Sequence, residues 1–398
     1  MAGAGVALAG VGAAAGYAVA ESSSGPGTGV VPFRDVHQAG IITPAQDRLH
    51  FVAMDLTTTD TGAVRDLFRR WTDAAERLTT GAEMTPNGAV GLNPNLPPTD
   101  TGEALGLPAS SLTLTFGIGA SLLAKLGLDG RRPPGLIDLP HFTGDQLDPG
   151  RSGGDLCIQA CADDPQVAVH AIRNLVRAGF GTTEVRWSQL GFGRTSSTST
   201  DQATARNLFG FKDGTNNLKA EEPDLIDEHV WAGPDQGWMA GGTYLVARRI
   251  RMHIEIWDRT SLDEQQQIIG RSKGEGAPLS GQAEFDVADL RARGPDGDPL
   301  IGRDAHIRLA SADALNGIRI LRRGYNFVDG SDGTGHLDAG LFFVAFVRDP
   351  ATHFVPMQSA LARHDKLMEY IEHSGSAVFA CPPGLSEPGS YWGQELFT

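Results

Sequence analysis

Apolar and polar positions along this chain switch repeatedly between two periods. Residues 48–58, RLHFVAMDLTT, read as a strand, and AVRDLFRRWTDAAERL follows with Val64, Leu67, Phe68 and Trp71 at the i, i+3, i+4, i+7 spacing of a helix with one buried stripe. Residues 111–116, SLTLTF, alternate as a strand does, and GIGASLLAKLGL then predicts a turn and a helix. Residues 155–161, DLCIQAC, form another strand. Asp164 is the expected N-cap and Pro165 the first residue of the helix PQVAVHAIRNLVRAG, because an acidic side chain can accept from the free N–H groups while proline has no N–H to lose. Residues 183–190, TEVRWSQL, alternate again.

The second half repeats the pattern with little residue identity. Residues 243–257, TYLVARRIRMHIEIW, predict one long strand. SLDEQQQIIG predicts a short helix opened by Ser261, with Glu264 completing a capping box. Residues 318–322 and 340–348 read as strands, and 356–372 as an amphipathic helix with Leu361, Leu367, Met368 and Ile371 inward. The first half reads β-α-β…β-α-β, and the second is taken to echo it in a strand, helix, strand, strand, helix, strand order. That order predicts an α+β fold of two ferredoxin-like modules with antiparallel sheets, packed together. Their expected spans are 47–205 and 206–398, preceded by a flexible segment at 21–46; a Gly/Asp-rich stretch at 271–304 interrupts the second module.

Composition narrows the choices. The 398 residues are 40% hydrophobic and 20% charged, as in a soluble globular protein with a substantial core. A net charge of −15 excludes the basic footprint that nucleic acid requires. Residues 2–20 are small, apolar and uncharged, and Ala18-Val19-Ala20 reads as a small-x-small cleavage site, so 1–20 is expected to be what remains of a signal peptide without a basic n-region. It is too rich in Ala and Gly for a stable membrane span, and such leaders fit twin-arginine export to a periplasmic or extracellular location. Three cysteines, Cys157, Cys161 and Cys381, make no disulfide framework and read as small buried hydrophobes.

Familiar catalytic motifs are missing. GIG in TFGIGASLL lies between strand and helix, but Leu122 stands where the third glycine of a dinucleotide fingerprint belongs. No G-x-S-x-G, H-E-x-x-H, Walker or EF-hand loop occurs. Two stretches remain, GFKDGTNN at 210–217 and GRDAHIRLASADALNGIRILRRGYNF at 302–327. Taken alone, Asp213-Gly214 is a turn signal, His306 is one of 11 histidines, and Arg322-Arg323 is a charged strand end.

Taken together, GFKDGTNN, DAHIRLA and ILRRGYNF, with His306 and Arg322 16 residues apart, resemble the dye-decolorizing peroxidases. TFGIG, DLCIQACADDP and SGSAVFACPPG match the same family in its exported branch, and the resemblance runs from about residue 35 to the end. It implies two ferredoxin-like modules with one haem b in the C-terminal one. It places the axial iron ligand at His306, with Asp365 in HDKLMEY receiving the other ring N–H of that histidine. It places Asp213 as the distal acid–base group and Arg322, rather than its neighbour Arg323, as the distal cation that stabilises charge on the breaking O–O bond. Gly214, Thr215 and Asn216 are expected against the haem edge and Phe343 in the distal wall. Gly324 stands where the other main branch carries an Asn, so no helper amide is expected. The implied partners are hydrogen peroxide and one-electron donors such as dyes, phenols or metal ions. Tyr391, Trp392, Trp231 and Trp238 are candidate surface relays for donors too bulky to enter. The same branch includes deferrochelatases, so iron release from haem, or simple haem binding, stands as the alternative function.

Overall fold

A computed structural model describes residues 29–91 and 93–398. The expected leader at 1–20 and the first part of the 21–46 segment lie outside the described residues. Strand β1 (Arg48–Leu56) is followed by α1 (Thr61–Leu78), β2 (Thr113–Ile118), α2 (Ala120–Lys125), β3 (Leu156–Ala162), α3 (Pro165–Ala178) and β4 (Thr183–Arg194). Then come α4 (Pro223–His229), β5 (Thr243–Met252), α5 (Ile254–Trp257), α6 (Leu262–Ile269), α7 (His306–Leu309), β6 (Leu321–Arg322), β7 (Tyr325–Ser331), β8 (Leu337–Val347), α8 (Phe354–His364) and β9 (Ile371–Cys381).

The first half follows its sequence pattern closely. The Asp164 carboxylate accepts from Gln166 N at 2.7 Å and opens α3 behind Pro165. In β1, Phe51 and Ala53 join one apolar cluster and Val52 and Met54 another, and all four are buried. A strand covered on both faces needs apolar residues at every position, which is why FVAM is a continuous run.

All pairings are antiparallel, in the order β5-β9-β2-β3-β1-β4-β7-β8-β6, and β8 also pairs with β5. The sheet thus closes on itself as a barrel of eight strands, with β6 on the side of β8. Inside lie Phe51, Phe327, Phe342, Phe379, Cys157 and Cys381. The helices cover the outer face, where Val52, Trp71 and Leu175 meet Val246 and Phe354 of the second half in one cluster. The two halves join at two short seams, Ile118 opposite Ala380, and β4 with β7 at Phe192–Asn326 and Arg194–Tyr325. Residues 29–46 have no helix or strand but are fastened at the first seam. Gln38 accepts from Phe116 N at 2.8 Å and donates to Phe116 O at 3.1 Å and Pro382 O at 2.9 Å.

The second half departs from its pattern in four places. The expected 243–257 strand stops at Met252, because His253 leaves the sheet to bond Tyr370 O at 2.8 Å and the next turn carries Trp257 into the core. The expected 356–372 helix stops at His364, where Asp365 turns to extended backbone (ψ 118°) and caps a new 3-10 turn over Lys366–Glu369. The expected 318–322 strand is only Leu321–Arg322, and β7 and β9 are strands that the apolar pattern did not mark. At α6 the capping box is half formed: Ser261 Oγ accepts from Glu264 N at 3.2 Å, while the Glu264 carboxylate reaches Lys366 instead.

Candidate active site

The residues singled out by sequence converge on the second half, from four separate elements. His306 opens α7, Asp365 ends α8, Arg322 lies on β6 and Asp213 on the loop before α4. His306 Nδ1 donates to Asp365 Oδ2 at 2.6 Å. Asp365 is buried, with a 2% exposed side chain, and its other oxygen accepts from Leu367 N at 2.9 Å. The imidazole keeps 33% of its side chain open although its partner is sealed. With Nδ1 committed, Nε2 is the nitrogen left to meet a ligand. Burial disfavours a charged ring here, but the Asp365 carboxylate outweighs it through charge and hydrogen bond. Asp213 adds to that pull, Arg322 opposes it, and the net effect raises the His306 pKa above its ordinary value.

Arg322 Nη1 donates to Asp213 Oδ1 at 2.6 Å. Arg323 points to the opposite side of β6, as alternation in a strand requires, and is buried against Thr43 O and the Gln46 side chain. Of the two arginines, Arg322 is the one beside Asp213.

Two asparagines that sequence reading left unassigned complete this group. Asn207 Nδ2 donates to Asp213 Oδ2 at 3.2 Å, so both carboxylate oxygens are held. An amide is thus present, supplied by the NLFGF stretch rather than by the residue at Gly324. Asn217, the second Asn of GFKDGTNN, clamps the Arg322 backbone from both sides: it accepts from Arg322 N at 2.8 Å and donates to Arg322 O at 2.9 Å. An Asn closing a glycine turn was the signal available for it.

The turn itself lies two residues later than expected. Asn217 N bonds Gly214 O at 3.0 Å, which puts Thr215 and Asn216 at the bend and leaves Asp213 before it. Gly214 has φ 91°, and a Cβ there would sit 2.8 Å from Ser196 Cα. Its glycine requirement is met by the neighbouring backbone of Ser196, whatever else approaches. Thr215 Oγ1 donates to Glu284 at 3.1 Å, and Asn216 is exposed. The Phe343 ring packs 6.1 Å from that of Phe354 at the start of α8, the helix leading to Asp365, rather than against the Asp213 loop alone.

The proposed surface relays are mostly not at the surface. Trp392 is 2% and Trp231 7% exposed, the latter stacked on His37 with ring centroids 3.7 Å apart. Trp238 is half-buried and bonds Arg131 O at 2.7 Å, and Tyr391 is half-buried under the Arg69 guanidinium. Among the described residues, no helix is long and apolar enough to cross a membrane.

Known structures place the class first. The chain is similar over 93% of its length to ferric DtpA from Streptomyces lividans, 98% of which is covered, with a TM-score of 0.85 at 40% identity. It belongs to the Dyp-type peroxidase family, whose N-terminal model matches residues 38–193 and whose C-terminal model matches residues 204–386. Among curated relatives, the dye-decolorizing peroxidase of Thermobifida fusca is 41% identical over 90% of this chain and 83% of its own. The deferrochelatase of Yersinia pseudotuberculosis is 38% identical over 92% of this chain and 84% of its own.

Proposed function

We propose that this chain is a haem-dependent peroxidase that reduces hydrogen peroxide to water at the expense of one-electron donors such as dyes or phenols. The observation that carries the reading is the pairing of a carboxylate-held imidazole, open at Nε2, with a second carboxylate held by Arg322 and Asn207. The donor set fits haem. One imidazole nitrogen, Nε2, is free to exchange its proton for iron, the ring is fixed through the other nitrogen, and no further protein ligand is needed when a macrocycle fills the remaining positions. When bound, haem supplies the two electrons that cleave the O–O bond and accepts them back singly from the donor.

The chain's own residues handle position and protons. His306 would hold the iron through Nε2, and Asp365 would keep its Nδ1 protonated and the ring electron-rich. Asp213 takes a proton from the near oxygen of hydrogen peroxide and gives it to the far one, so that water leaves. Arg322 holds the Asp213 carboxylate beside it and stabilises negative charge as the bond breaks. Gly214, Thr215 and Asn216 form the turn beside this carboxylate, and Phe343 part of the apolar floor.

We read the fold as two ferredoxin-like modules, 47–205 and 206–398, with haem in the second. Support comes from the strand orders β4-β1-β3-β2 and β9-β5-β8, the latter continued by β6 and β7, and from the two family-model matches. The leader-like pattern at 2–20 supports export, which cell fractionation of the tagged full chain tests.

Stopped-flow absorbance of the haem-loaded protein mixed with peroxide tests the activity. Rapid change of the haem spectrum is expected, slowed at least 100-fold in Asp213→Ala or Arg322→Ala, since each removes charge acting on the transition state. His306→Ala should weaken haem binding. A ferric spectrum unmoved by peroxide would overturn the reading. The 38% identity to deferrochelatases favours a second use of the same site, and iron-free porphyrin fluorescence after incubation with haem would select it.

A further inference from the structure

The Gly/Asp-rich stretch 271–304 lies between α6 and α7 and packs on the back of the Asp213 loop. Arg206, at the start of that loop, donates to Lys273 O and Gly274 O at 2.6 Å each. A Cβ on Gly276 would sit 2.8 Å from the Lys212 side chain. Glu284, with an 11% exposed side chain, pairs through one oxygen with Lys212 Nζ and accepts through the other from Thr215 Oγ1 at 3.1 Å. Its own backbone is pinned, because Arg271 Nη1 donates to Glu284 O at 2.9 Å. Burial works against this charge, yet Lys212, Thr204 and Thr215 outweigh it and hold the carboxyl below its usual pKa.

The two residues Glu284 grips bracket Asp213-Gly214. Lys212 and Asp213 are consecutive, and consecutive side chains on extended backbone point to opposite sides. Lys212 forms an antiparallel bridge with Arg206, and the Asp213 N–H bonds Ala205 O at 2.9 Å, so the ribbon runs strand-like at this point. Fixing Lys212 behind the ribbon therefore fixes the direction of Asp213 in front of it. Arg322 and Asn207 hold the carboxylate itself. Neither reaches behind the ribbon.

We propose that Glu284 is a positioning residue for peroxide reduction: it braces Lys212 and Thr215 so that the Asp213 carboxylate stays aimed at the peroxide beside Arg322. The inference rests on the assignment of Asp213 made above. In Glu284→Ala, backbone amides of 210–217 in the cofactor-free protein should exchange hydrogen faster, while exchange in α1 and α3 is unchanged. In the haem-loaded protein, the second-order rate with peroxide should fall about 10- to 100-fold, the scale set by misplacing a reacting group. Lys212→Ala should act in the same direction, and the exchanged pair Lys212→Glu with Glu284→Lys should recover most of the rate, which a general loss of stability would not allow. If Asp213→Ala leaves the peroxide rate unchanged, the Asp213 assignment itself is wrong. If Asp213→Ala abolishes the rate while Glu284→Ala changes neither exchange nor rate, the brace alone is overturned.

Discussion

Asp365 uses its two oxygens for two different ends. Oδ2 takes the proton-bearing Nδ1 of His306 and Oδ1 takes Leu367 N, so one buried carboxylate both orients the imidazole and starts the 3-10 turn. Asp365→Asn keeps the shape but offers the imidazole a neutral partner. It is expected to cost about 10- to 100-fold in peroxide turnover and to raise the ferric/ferrous potential of the loaded protein, measured by spectroelectrochemistry. An unchanged potential would show that the carboxylate only shapes the turn. At this scale the sequence was informative where chemistry restricts residue type: Asp213, His306, Arg322 and Asp365 stand out by motif. Asn207, Asn217 and Glu284 did not, because an amide or a carboxylate on a loop has no spacing that names its partner. The partners of Asn217 and Glu284, Arg322 and Lys212, are 105 and 72 residues away in the chain.

Elements followed the pattern wherever local rules and packing agreed. The caps of α3 and the stripe of α1 were legible because an N-cap and a 3.6-residue period involve only near neighbours. Failures cluster around the site. The strand to 257 and the helix to 372 were both broken by contacts from elsewhere, His253 with Tyr370 and Asp365 with His306. The GFKDGTNN turn shows the same balance. Its composition announced a turn, but its register was set by Ser196, which leaves no room for a side chain at residue 214. Gly214→Ala must accept both a φ of 91° and that contact. It is expected to destabilise the protein by about 1–3 kcal/mol and to slow the peroxide reaction through displacement of Asp213. Thermal unfolding and stopped-flow measurements on the same sample check both; an unchanged melting temperature would show that the loop yields without strain.

The whole molecule closes its sheet through two short seams, and burial on β9 has a cost that depends on pH. His373 on β9 is 3% exposed, with Nδ1 unpartnered. Burial, reinforced by Arg248, pushes its pKa down to about 3. The unfolded imidazole takes its proton near pH 6.5, so between about 6.5 and 3 only the unfolded state binds it. Folding stability should therefore fall as the pH drops through that window, by a few kcal/mol at most (about 1.4 kcal/mol per unit). His373→Leu should flatten the slope, as read by denaturant unfolding at pH 7 and pH 4.5; an equal slope in both proteins would place the sensitivity elsewhere. The alternation of strand and helix in the first half and the family were legible in the sequence alone, since periodicity and motif order are local quantities. Closure of the halves into one barrel, the contact of Arg322 with Asp213, the amide of Asn207 and the contacts of Glu284 with Lys212 and Thr215 were decided only by the tertiary structure. Each depends on which distant backbone comes within hydrogen-bond reach, and that is a property of the packed chain.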